Sequence, residues 1–205
     1  MTTARGGGAK DKQLHELVSQ ALESELGGAE VYETAQRCVR HDELASEFEE
    51  HHQQTKRHAE IVRGLLASLG LDEAAEPPGR KVVHHLGKSL AKAMETALAI
   101  DSPETAELVA AERVVLAQTK DHLNWELLAD AAGHLQGAAY RALEEAVREV
   151  ESEEGEHLYH STGRCRELGM ASPGLPAVLP PPEEQKHVKT AIGAARAKKA
   201  RESMA

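Results

Sequence analysis

Aromatic side chains are scarce in this 205-residue chain: one Trp, one Phe and three Tyr. β-Branched residues are sparse too, and Gly and Pro gather outside the long periodic stretches. This composition argues against β-sheet. Two cysteines, Cys38 and Cys165, make no disulfide framework, so reduced, separate thiols and a cytoplasmic setting are expected. No apolar run reaches the length of a membrane span, and the start, MTTARGGGAKDK, lacks the apolar core of a signal peptide. A formal net charge of −10 gives the body no attraction to nucleic acid.

Ala, Leu, Glu, Lys, Arg and Gln fill the periodic stretches, which makes the chain all-α by preference. Its length fits one domain with an appendage. The spacing predicts four long helices. The first covers 11–39, after a flexible 1–10. Its apolar or small residues recur at Leu14, Val18, Ala21, Gly28, Tyr32, Ala35 and Val39, stepping by three or four except across Glu25. The second covers 42–69, from an Asp42 N-cap to a Gly70 C-terminal cap. Its stripe, Leu44, Phe48, Val62, Leu65 and Leu69, is broken by His51, Thr55 and His58. The third covers 103–131, opened by the cap and first-turn pair Ser102-Pro103. The fourth covers 136–168 and stops at Gly169, with Glu154, His157 and Ser161 inside its stripe.

Short links join helices one to two and three to four, which makes each pair an antiparallel hairpin. The segment 70–102 is long enough to travel the length of the assembly, as a short helix or a partly helical crossover. Four helices with one long crossover, over 11–169, is the ferritin-like bundle topology. A Pro-rich linker and a basic tail complete 170–205. The tail carries Lys186, Lys189, Arg196, Lys198, Lys199 and Arg201 against Glu202 and is compatible with a helix. It suggests a handle for an acidic partner, a neighbouring subunit of a homo-oligomer included.

Most carboxylates, Glu23, Glu30, Glu33, Glu149, Glu151 and Glu156 among them, fall off the stripes and read as surface charge. Glu25 and Glu112 fall inside apolar surroundings. Leu108, Val109, Val115 and Leu116 flank Glu112 at helical spacing. A buried, unpaired carboxylate is costly, so both need partners, and a metal ion serves several at once. Glu154 and His157 form a Glu-x-x-His pair on one helix face. Counting from the turns places Glu25, Thr55, His58, Glu112, Glu154 and His157 in one central polar layer. A buried hydrogen-bonded network of the same groups is the alternative.

This layer resembles that of the ferritin-like di-iron carboxylate proteins, especially rubrerythrins and bacterioferritins. These use one Glu from each of two helices and Glu-x-x-His from each of the other two. Glu25 with Tyr32 seven residues on, Glu112, and Glu154 with His157 match that pattern. In TKRHAEIV, His58 matches the family's His, but Thr55 stands where Glu belongs. The resemblance implies iron or manganese ligated by Glu25, His58, Glu112, Glu154 and His157, in a mononuclear or dinuclear centre. His51 or Thr55 would be extra ligands, and Tyr32, Glu153 and His160 supporting partners. It implies ferroxidase-, peroxidase- or oxidase-type chemistry. The Thr55 departure keeps a second reading open: a non-catalytic structural, stress-associated or partner-binding bundle.

Overall fold

The computed structural model describes residues 7–100 and 102–176, with side chains from residue 12 onward. The Pro-rich linker beyond 176 and the basic tail lie outside the described residues, as does most of the N-terminal stretch.

The described residues form five helices and no strand: α1 Gly7–Gln36, α2 Asp42–Ser68, α3 Pro78–Ile100, α4 Pro103–Ala132 and α5 Gly137–Ala171. The all-α expectation holds. The connecting segment takes the helical form of the two expected for it: α3 is helical for 23 residues, about 35 Å. It runs parallel to α1, with Lys88 bonded to Glu30 and His84 to Glu23. Gly27 and Gly87 permit this close packing: a Cβ at Gly87 would lie 3.1 Å from the Gly27 Cα. α3 also corrects the reading of Glu23 as surface charge. Glu23 is 7% exposed and held by Arg80 Nε at 2.9 Å and His84 Nδ1 at 2.7 Å.

Helix ends follow local chemistry. Ser102 caps α4 as expected, its hydroxyl accepting from the Thr105 N–H at 3.2 Å. Gly70 adopts φ 64° just after α2, a conformation that favours glycine. At the start of α2 the cap position belongs to His41, not Asp42, and the His41 side chain makes no cap bond. The residues just before α2 are held from α4 instead. Glu107, 2% exposed, accepts from the backbone N–H groups of Arg40 and His41 at 2.9 and 3.1 Å. That clamp fixes the tight link after α1, which ends at Gln36, three residues before the position the periodicity suggested. α5 continues past Gly169 to Ala171, and the glycine with positive φ beyond its C-terminal end is Gly174.

α1 and α2 run antiparallel, as do α4 and α5, so α1 is parallel to α5 and α2 to α4. Two apolar clusters divide the interior. One gathers Val18, Leu22, Val62, Leu66, Trp125, Leu128, Leu143 and Val150. The other gathers Val31, Tyr32, Phe48, Leu90, Met94, Ala110 and Val114. Between them lie buried polar side chains from α1, α2, α4 and α5. Cys38 and Cys165 are both free thiols.

Candidate metal centre

α1, α2 and α5 each turn polar residues inward where the stripe would otherwise be apolar. α1 gives Glu25, α2 gives Thr55 and His58, and α5 gives Glu154 and His157. All five are at most 1% exposed. Their places in the stripes predicted this burial. On α4 the prediction failed. Glu112 is not in the layer: its side chain is 45% exposed and paired with Arg113 at 3.2 Å. Asp121, 1% exposed, occupies the α4 position instead. The step of nine positions from Glu112 to Asp121 amounts to about 13 Å of helix.

The physical reason is that α4 buries its small and polar residues. Ala106, Ala110, Val114, Gln118, Asp121, Asn124, Trp125 and Leu128 are buried, while Leu116, Leu123 and Leu127 are exposed at 48%, 46% and 41%. Of the apolar neighbours of Glu112, Leu116 is exposed and Leu108, Val109 and Val115 are only half-buried, so they flank the inner face rather than define it. The α4–α5 register differs from a count outward from the turn, and the Glu112 charge acts on Cys165, eleven residues past Glu154. The spacing of Gln118, Asp121, Trp125 and Leu128 was the available signal for the true inner face.

Ligand atoms of Glu25, His58 and Glu154 all lie within 4.8 Å of one another. His58 Nδ1 is 3.0 Å from Glu154 Oε1 and 3.8 Å from Glu25 Oε1. Its Nε2 meets Glu153 Oε2 at 2.8 Å, and Arg57 holds the same carboxylate. His157 repeats the pattern. Its Nε2 bonds to Gln54 Oε1 at 2.7 Å, which places the proton on Nε2. Its Nδ1 lies 3.5 Å from Glu154 Oε1 and is buried with no hydrogen-bond partner. Both rings thus aim Nδ1 inward and anchor Nε2 to an oxygen, the orientation that metal-ligating imidazoles use.

The carboxylates are under electrostatic stress. Burial, then the charges of Asp121 and Glu154, push Glu25 well above its ordinary range, although the Trp125 indole N–H donates to it at 2.7 Å. Burial, then Glu154, raises Asp121 likewise. Burial acts the same way on Glu154, but the neighbouring His157 and His58 imidazoles outweigh it and hold the carboxyl at about 2. Many polar atoms here are buried without a hydrogen-bond partner: Glu25 Oε2, Thr55 Oγ1, both Asp121 oxygens, Glu154 Oε2 and both polar atoms of the Gln118 amide. Gly28 keeps the space open, since a Cβ there would lie 3.3 Å from Thr55 Cγ2 and 3.9 Å from an Asp121 oxygen.

Supporting residues fall partly where expected. Tyr32 is fully buried, but its hydroxyl meets His51 Nδ1 at 3.3 Å, not Glu25. His51 is 4% exposed, and burial, with His157 beside it, lowers it to about 3, so its imidazole is neutral at physiological pH. Glu153 supports His58, as above. His160 points away from the layer toward Glu47, 2.9 Å distant. Sequence reasoning missed Asp121, Gln118, Trp125, Gln54 and Glu47.

No protein-family profile, curated protein or solved structure matches this chain.

Proposed function

We propose that the chain is a ferritin-like metal-carboxylate protein that binds iron or manganese between Glu25, His58, Asp121, Glu154 and His157. The observation that carries this reading is the buried cluster of Glu25, His58 and Glu154 at metal-ligand spacing, with Asp121 and the inward His157 Nδ1 beside it and several of these atoms lacking hydrogen-bond partners. A native interior leaves few polar groups unsatisfied, and a divalent cation would satisfy these together. Mixed carboxylate and imidazole donors suit iron or manganese better than calcium, which prefers oxygen alone. The connectivity supports the ferritin-like part: two antiparallel hairpins joined by a connection that travels the length of the assembly.

The bound metal would supply redox chemistry toward oxygen or peroxide. The chain's own part is to hold the ligands. Glu153 and Gln54 orient the two imidazoles, and Trp125 fixes one oxygen of Glu25. The two apolar clusters keep bulk water from the layer. Thr55, where the resemblance calls for Glu, leaves three carboxylates, so one ion is held more firmly than a second.

A non-catalytic bundle is the competing reading. The raised carboxyls of Glu25 and Asp121 favour it, because protonated they can be buried without metal. Elemental analysis of protein purified without added metal, followed by anaerobic Fe(II) or Mn(II) titration and exposure to oxygen or peroxide, separates the two. Bound ions that react with oxidant, both lost in Glu154→Gln, support the metal reading. A parent protein that takes up neither ion refutes it.

A further inference from the structure

A second cluster of donors lies one to two turns from the buried layer, toward the N-terminal end of α2. Ligand atoms of Glu47, His51 and His160 all lie within 4.8 Å of one another. Glu47 and His51 are one turn apart on α2, and His160 faces them from α5. Donors sharing one ion at bond lengths of about 2.0–2.2 Å stand no further apart than about 4.4 Å, so small rotamer adjustments suffice. His51 is 4% exposed, while the His160 side chain is 53% exposed, so the cluster reaches from the interior to solvent. Glu47 Oε2 is buried without a hydrogen-bond partner, with Arg164 Nε 3.5 Å away.

Four imidazoles link this cluster to the centre. Ring centroids are 5.7 Å apart from His58 to His157, 4.2 Å from His157 to His51 and 6.0 Å from His51 to His160. We propose that Glu47, His51 and His160 bind a divalent transition-metal ion at the surface and pass it inward along this row. The outer site stands by itself, and only the inward transfer rests on the buried centre proposed above. Two imidazoles with one carboxylate suit Zn(II), Co(II) or Fe(II) and leave coordination positions for water. The Arg164 guanidinium beside Glu47 competes with a bound cation, which makes the site exchangeable, as a station on a path requires.

The test uses Co(II) on the metal-stripped full chain, with bound ions counted after equilibrium dialysis and followed by visible absorption. Variants are His160→Ala, His160→Gln and Glu154→Gln, each checked for helicity. The parent is expected to bind one ion more than either His160 variant and to fill the buried centre at least tenfold faster. Glu154→Gln is expected to keep the His160-dependent ion. If the parent binds ions and the folded His160 variants bind as many, the outer site is overturned while the buried centre stands; if none of them binds any, both are overturned. If the His160-dependent ion persists but the buried centre takes up none in any protein, the outer site stands and the buried-centre reading falls. If the His160 variants lose an ion yet load the centre at the parent rate, the transfer role is overturned.

Discussion

Trp125 donates its indole N–H to Glu25 Oε1 at 2.7 Å, tying α4 to α1 at the polar layer. This bond is the main influence drawing the Glu25 carboxyl back toward its ordinary range, against burial and two neighbouring negative charges. The other oxygen, Oε2, has no partner. Trp125 thus lets a buried carboxylate stay available for a cation. Trp125→Phe keeps much of the apolar bulk and removes the donor. It should cost about 1–3 kcal/mol of metal-free stability. Metal uptake, followed against pH, should shift its midpoint upward, because Glu25 then holds its proton more firmly. An unchanged midpoint would separate Trp125 from the centre.

Asp121 gives a pH-dependent prediction with a definite sign. Burial and the Glu154 charge raise its carboxyl above its unfolded value, which is near 4. A group raised on folding contributes stability that is whole below the unfolded value and lost as pH climbs through the folded one. Asp121→Asn cannot ionise and escapes that loss. Metal-free Asp121→Asn should therefore gain on the parent as pH rises above about 4, and melt several degrees higher at pH 8, since 1 kcal/mol moves Tm by about 2–4 °C at this size. Its metal affinity should fall at least tenfold. Thermal melts from pH 4 to 8 that run parallel for the two proteins would contradict the electrostatic account.

The contrast between Asp121 and Glu112 shows what the sequence could carry. The stripes of α1, α2 and α5 were legible because each had an apolar side interrupted by a few polar residues. Glu25, Thr55, His58, Glu154 and His157 stood out against Leu, Val and Phe. α4 inverts that contrast, with Ala, Gln, Asp and Asn inside and several Leu outside. Apolar neighbours then point to the wrong face. Its level along α5 depends on helix packing, which no count from a turn supplies. Glu107 was invisible for a related reason: it serves backbone N–H groups of another helix pair, and only the fold brings them together.

The placement of Glu112 is directly testable. Glu112→Gln changes a half-exposed side chain whose recorded partner is its neighbour Arg113. It should alter stability by no more than about 0.5 kcal/mol and leave metal stoichiometry untouched. Calorimetric metal titration of this variant beside Asp121→Asn makes the comparison. A large loss in Glu112→Gln with none in Asp121→Asn would return Glu112 to the centre and reject the helix register described above.

Thr55 is the sharpest lever on the whole reading. Its hydroxyl is fully buried, has no hydrogen-bond partner, and sits beside the open space at Gly28 and Asp121. Thr55→Glu adds a fourth carboxylate one turn before His58. Without metal, it buries another unpaired acid among Glu25, Asp121 and Glu154, and should cost about 3 kcal/mol or more. With metal, the same carboxylate supplies the hard oxygen and negative charge that a second divalent ion lacks in the parent. Saturating Fe(II) or Mn(II) at about 100 times Kd would return about 2.7 kcal/mol for each ion bound. The variant should therefore melt below the parent when stripped and close much or all of that gap when loaded, with the count of bound ions rising by one. Buried hydrogen bonding alone predicts only the first half. If metal restores nothing and neither protein binds an ion, the layer is a polar network and the metal reading ends there.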